Sequence, residues 1–319
     1  MKTDFLKTAK KHWKTIVFIL LFISFIITRE MIFAIATLGS MIWIVGSEVN
    51  EGAKRYGWKH EIVDTVISVM LILIFWFGLQ TLLNTETPIS AIVTCSMLPN
   101  LERGDLVIIQ GAELNAYEIE MTAEEFQEIS SYESVINYKN NTFKVLGSMY
   151  SYCLQNKDSV CNYFLSEPEE FIEKRGEMIF YYSQCGIEYL DRKIVVPQPC
   201  ITEIEYKDKK YPVKISNDIL VYVPEKNTYF SYVGDIIHRI YFKVNVEGEE
   251  YYLVKGDNNP ILDIQMYDYK YNLGNLPAKN INGKEIFRIP YVGYLKLFIS
   301  MFFETPEQCN TQLKYNYLT

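Results

Sequence analysis

Residues 62–83, IVDTVISVMLILIFWFGLQTLL, form a 22-residue run with one charge, Asp64, near its start. At about 1.5 Å per residue, a helix of that length crosses a hydrocarbon core of about 30 Å. Upstream, Thr15–Thr28 and Met31–Gly46 are apolar but shorter, and Arg29-Glu30 separates them. The pattern predicts a hairpin of two short helices over 15–46, then a full span at 62–83. Lys2, Lys7, Lys10, Lys11 and Lys14 precede the hairpin, and Lys54, Arg55 and Lys59 lie in the 47–61 loop. Basic flanks stay on the cytoplasmic side, so everything after about residue 84 is expected outside. A second reading takes the lysine-rich start, Ile16–Ile27 and Ala34-Ile-Ala36 as a cleavable signal peptide, which would leave the large domain in the cytoplasm. Arg29 and Glu30 interrupt that pattern.

The rest of the 319-residue chain has a different character. It is rich in tyrosine, in short alternating stretches such as Met178-Ile-Phe-Tyr-Tyr-Ser183, the mark of strands. An apolar fraction of 49% excludes a disordered chain, and a net charge of −8 excludes a general nucleic-acid binder.

Directly after the span comes Ile89-Ser-Ala-Ile-Val-Thr-Cys-Ser-Met-Leu-Pro-Asn-Leu-Glu-Arg-Gly-Asp-Leu-Val-Ile-Ile109. Ile89–Cys95 reads as a strand, Pro99-Asn100 and Gly104-Asp105 as turns, and Leu106–Ile109 as a second strand. Ser96 stands at a strand-to-turn junction, where a hydroxyl ordinarily satisfies a loop. The segment Ser96-Met97-x-Pro99-x-Leu101-x-x-Gly104-Asp105-x-Val107 as a whole resembles the nucleophile box of type I signal peptidases. Cys95 departs from the Gly or Asn common before that serine. Thr94 matches a position where the family carries a hydroxyl residue that helps stabilise the oxyanion.

A serine needs a base, which that family supplies as Lys or His. Of three histidines, His12 and His60 fall in the expected cytoplasmic parts, so His238 is the candidate. A strand is predicted at Tyr229–Val233, a turn at Gly234-Asp235 and a long strand from Asp235 to about Val246. Gly234-Asp235-x-x-His238-Arg239-Ile240 resembles the box of the archaeal and endoplasmic-reticulum enzymes, one residue shorter between Asp and His. Tyr241–Lys255 reads as a hairpin turning at Glu247-Gly248. That centre places His238 opposite Asp257, within a register slip of one or two positions. Lys255-Gly-Asp257-x-Asn259 with Asp263 is similar to the family's last acidic box. The resemblance implies Asp263 as the triad carboxylate and Asp257 as a supporting acid; the alternative for both is a turn-forming loop aspartate.

The resemblance covers about 85–110 and 229–294, the last part ending on Ile289-Pro-Tyr-Val-Gly-Tyr294. It implies a mainly β catalytic domain of the signal-peptidase type, N-terminal transmembrane helices and a β-rich inserted subdomain. Its expected activity is a serine endopeptidase cleaving signal peptides from preproteins, with no metal or cofactor. Partners would be preproteins, the lipid bilayer and a secretion translocon, at the plasma membrane or, alternatively, the endoplasmic reticulum. The expected organisation is 1–14 cytoplasmic, 15–46 hairpin, 47–61 cytoplasmic loop and 62–83 span. The core then takes 84–110 and 229–294, the inserted cap 111–228, and a membrane-proximal segment 295–319. In the cap, Thr122-Ala-Glu-Glu125 reads as a capping box for a helix carrying Phe126, Ile129 and Glu133 near one side. Strands are expected at Lys193–Val196 and Ile219–Val223. Cys153, Cys161, Cys185 and Cys200 allow two disulfides in three connectivities; reduced packing cysteines are the alternative. Asn140-Asn-Thr142 is a glycosylation acceptor. Leu295–Phe303 is apolar but too short to span, an interfacial helix or a core helix. The competing function is a membrane-anchored surface protein with a degenerate protease core.

Overall fold

The computed structural model describes residues 12–213, 216–226, 234–268, 273–274, 277–300 and 305–315. The strand expected at 229–233 and the first four of the N-terminal lysines lie outside these.

Helices α1 (Trp13–Thr28) and α2 (Met31–Tyr56) form an antiparallel hairpin, and α3 (Trp58–Leu83) follows after one break at Gly57. Two of them, α2 and α3, are long and apolar enough to cross a membrane. The hairpin corner is Arg29, whose φ of 58° stops α1. Near the far end Lys14 binds Glu51 at 2.7 Å, and Trp13 meets Trp43 edge to face. The loop expected at 47–61 is instead helical on both sides of Gly57. Ser47–Tyr56 loses hydrophobicity without losing helix-forming residues, and Lys54 and Arg55 suit a helix C-terminus.

The β region is two sheets. Strands β1 (Ile89–Ala91), β2 (Leu106–Gln110) and β3 (Tyr117–Met121) begin the first, and α4 (Ala123–Ile129) leads into the second. That second sheet is built from β4 (Glu133–Tyr138), β5 (Asn141–Leu146), β6 (Phe171–Arg175), β7 (Met178–Tyr189), β8 (Ile194–Tyr206) and β9 (Lys209–Pro212). Helices α5 (Met149–Gln155) and α6 (Ser159–Ser166) lie between β5 and β6. The chain then returns to the first sheet with β10 (Ile219–Val223), β11 (Ile236–Val246) and β12 (Glu249–Lys255). A small ribbon, β13 (Tyr267–Asp268) with β14 (Leu273–Gly274), precedes β15 (Asn280–Ile289), α7 (Tyr294–Ile299) and β16 (Thr311–Lys314).

The first sheet runs β1-β2-β15-β10-β11-β12, with β3 parallel to the far half of β11; the second runs β5-β4-β6-β7-β8-β9, with β16 on β7. Every other pairing is antiparallel. The inserted sheet is therefore narrower than 111–228, because both ends of that stretch, β3 and β10, belong to the first sheet. Four of the five residues of β10 are buried, as in a strand covered on both faces. One apolar core joins the sheets, with Phe242, Val244 and Leu253 from the first and Ile136, Phe171, Phe180 and Ile204 from the second.

The capping box at Thr122 forms as expected, but α4 ends at Ile129 and Glu133 starts β4. Asn140 is exposed at the β4–β5 turn. The apolar segment after Ile289 forms α7, whose Tyr294, Leu297 and Phe298 bury against Phe25 and Ala34 of the hairpin. This joint rests on Gly104. Its φ is +90°, and a Cβ there would stand 2.0 Å from the Tyr294 ring, which itself meets Phe25 edge to face. Replacing Gly104 by Ala combines backbone strain with overpacking, so unfolding in detergent should cost about 1–3 kcal/mol less. An unchanged thermal midpoint would show that Tyr294 is not held there.

Candidate active site

Ser96 lies where the edge strand β1 has ended and the chain turns over an apolar floor of Ile92, Met97, Leu101, Val107 and Ile237. The strand expected to reach Cys95 stops at Ala91. His238 is the third residue of β11, opposite Leu220 of β10. Asp263 opens a single 3-10 turn, Asp263–Gln265, beyond β12.

These three residues, distant in the chain, form one hydrogen-bonded line. Ser96 Oγ lies 2.9 Å from His238 Nε2, and His238 Nδ1 lies 2.5 Å from Asp263 Oδ2. Tyr222 of β10 donates its hydroxyl to the same Oδ2 at 2.8 Å. Burial and the Asp263 charge push the Tyr222 phenol well above its ordinary value, so it remains a donor. Asp263 Oδ1 has no hydrogen-bond partner among the described residues. All four side chains are buried, with Ser96 at the floor of a cleft of about 400 Å³. Ala91–Thr94 form one wall and Asp235–Ile237 the other; Tyr150 and Leu154 of α5, Met266 and Gln308 close it. Thr94 Oγ1 is 3.4 Å from Ser96 Oγ. Chemically, the line lets an imidazole take the hydroxyl proton while a carboxylate holds its tautomer.

Asp257 is elsewhere. The β11–β12 pairing follows the expected centre from Phe242 to Val246, then slips by one residue at a bulge between Ile240 and Phe242. Arg239 therefore pairs with Lys255, and its guanidinium grips Asp257 through Nε and Nη2 at 2.8 and 2.7 Å. Asn100 adds a third bond to Asp257 at 2.7 Å. A one-residue slip turns a side chain to the opposite face, and Asp257 binds Arg239 rather than His238. Lys255 lines a second cavity, of about 290 Å³, with Arg239 and Asp257 rather than the Ser96 cleft. Its ammonium donates to the Gly256 carbonyl at 3.0 Å, and burial pulls its pKa down to about 8 despite Asp257 and Asp263.

Cysteines 153 and 161 are bonded to each other, as are 185 and 200. The third disulfide, Cys95–Cys309, was legible only by parity, since six cysteines less four leave two. It ties the residue before Ser96 to the segment carrying β16. Asn258 works beside it: its backbone N–H donates to Ser96 O at 2.7 Å, and its amide donates to Cys95 O and Thr311 O at 3.0 and 2.8 Å. Its Oδ1 accepts from Leu313 N at 2.7 Å. Tyr222 and Asn258 carry no mark in the sequence, since a strand tyrosine and a loop asparagine are ordinary there.

Two measurements follow. Between about pH 8 and 10.5 the unfolded chain holds a Lys255 proton that the folded protein has released. Stability should rise with pH across that window, and Lys255→Met should flatten the rise in unfolding followed from pH 7 to 11. Replacing Cys95 and Cys309 together by Ser should cost about 2–5 kcal/mol of stability, while retention of the wild-type midpoint would leave the tie without weight.

No family model matches the chain. A protein of Methanocaldococcus jannaschii described as uncharacterized is 25% identical over 213 residues, 66% of this chain and 83% of that protein.

Proposed function

We propose that the protein is a membrane-bound signal peptidase, a serine endopeptidase that cuts signal peptides from exported preproteins through an acyl-enzyme at the outer membrane face. The observation that carries this reading is the buried line Ser96, His238, Asp263, with contacts of 2.9 and 2.5 Å at the floor of an apolar cleft. The motif resemblance around Ser96, His238 and Asp263 supports the choice of substrate class.

In the reaction, His238 Nε2 accepts the Ser96 proton as Oγ attacks the scissile carbonyl. The imidazolium then gives that proton to the leaving amine, and a water activated by His238 releases the acyl group. Asp263 stays ionised, holding Nδ1–H and stabilising the imidazolium. Thr94 is the candidate hydroxyl beside the developing oxyanion. Among the described residues β1 has one strand neighbour, β2, and its other edge is the candidate to pair with an extended substrate. Small residues before the cut, and a translocon as delivering partner, come from the family resemblance.

Membrane placement draws on the helices. The Arg29 corner meets Tyr294 and the α3 end leads to Thr85, whose hydroxyl donates to Asn282 O at 2.5 Å, so both reach the β region. Lys14, Lys54, Arg55 and Lys59 gather at the opposite end of the hairpin and around Gly57. Positive-inside placement of that end sets the β region outside. Three disulfides agree with an oxidising compartment. A catalytically inert surface protein, the competing reading, has no use for a buried three-member line beneath a cleft.

The test is processing of a model preprotein by purified protein in vesicles. Ser96→Ala and His238→Ala should abolish cleavage with folding retained, and Asp263→Asn should lower kcat by on the order of 10⁴-fold. Wild-type cleavage by Ser96→Ala would end the peptidase reading.

A further inference from the structure

The inserted sheet reaches the site through buried polar residues that the proposed chemistry leaves unused. Glu173 and Arg175, neighbours on one face of β6, are 0% and 2% exposed. The Glu173 carboxylate accepts from Ser134 Oγ at 3.0 Å, Met149 N at 3.0 Å, Tyr182 OH at 2.5 Å and Gln265 Nε2 at 2.9 Å. Arg175 donates from Nε to Ser134 Oγ at 2.7 Å, from Nη1 to Ile264 O at 2.8 Å, and from Nη2 to Gly147 O. Ser151 of α5 donates to Gln265 O at 2.9 Å, and Gln265 Oε1 accepts from Leu262 N at 3.1 Å.

All of these bonds to residues 262–265 close around the one turn that begins with Asp263. A joint needed only for adhesion is served as well by apolar packing, since a buried ion pair gains little net stability. What such a network supplies is direction: fixed carbonyls and a fixed amide leave the turn one orientation. Asp263 needs that, because its carboxylate must meet both His238 Nδ1 and Tyr222 OH through a single oxygen.

We propose that Glu173, Arg175 and Gln265 are positioning residues, through which the inserted subdomain aims the Asp263 carboxylate at His238. The insertion is then a working part of the catalytic apparatus and not an appendage to it. The inference rests on the Ser-His-Asp reading of the site.

The test uses the full chain in detergent with ¹⁵N-labelled histidine, comparing Gln265→Ala, Arg175→Met and Arg175→Lys with Ile204→Ala. Ile204 is buried in β8 among apolar neighbours, paired with Phe180 and Tyr211 and outside the network. Gln265→Ala removes no charge, and Asp235 at the cleft wall, Tyr222, Arg239, Lys255, Asp257 and Asp263, with every other ionisable group of β10, β11 and β12, stay in every variant. Gln265→Ala and Arg175→Met should lower kcat by about 10- to 100-fold with KM little changed. The His238 titration should move to lower pH as the imidazolium loses its carboxylate, and Arg175→Lys should recover part of both. Wild-type kcat and titration in Gln265→Ala would overturn the proposal, as would the same losses in Ile204→Ala at an equal fall in thermal midpoint. If the wild-type protein leaves preproteins uncut while the His238 titration still moves in Gln265→Ala, the peptidase reading falls and the positioning role stands.

Discussion

A carboxylate removed from water has to be surrounded by donors, and Asp263 is the point at which this molecule meets that demand. Leaving such a charge unpaired would cost several kcal/mol, so the elements that solvate it are committed to one arrangement. β11 brings His238, β10 brings Tyr222 two residues along the neighbouring strand, and the 3-10 turn brings the acid itself. Those contacts set the distance between two strands of the first sheet and the segment beyond β12. The second sheet is drawn in through the same turn, because Arg175 and Ser151 bind the backbone carbonyls of residues 264 and 265.

Much of this arrangement was readable from local pattern. The apolar run at 62–83, the Arg29-Glu30 corner, the capping box at Thr122 and the turn at Glu247-Gly248 each announce themselves within a few residues, and each appears in the fold. Ser96, His238 and Asp263 stand out in the sequence through the motif resemblance, and they lie together. The errors come from non-local effects. A bulge beyond Ile240 shifts the hairpin by one residue and gives Asp257 to Arg239. β3 and β10 look like neighbours of the insertion in sequence but pair with β11. The end of hydrophobicity at Gly46 is not the end of a helix, since helix formation requires suitable residues and not apolar ones. Gln265 and Glu173 carry no sequence mark at all, because their meaning lies in a contact across 92 positions.

The loop around Ser96 is secured from two directions. Asn258, three residues past the end of β12, holds the backbone at Cys95 and Ser96, and the Cys95–Cys309 bond brings the segment before β16 against it. Gln308, beside that bond, donates to Asn259 at 2.9 Å and lines the cleft. The strand that follows pairs with β7 of the inserted sheet, so one short stretch of chain touches the Ser96 loop, the cleft and the second sheet.

That crosslink spans 214 residues. During synthesis the serine emerges early in its domain, yet the sulfur that fastens its neighbour arrives only once position 309 has been translated. The Ser96 hydroxyl is thus among the first parts of the domain to be made and among the last to be locked in place, an order written into the chain by the position of a single cysteine.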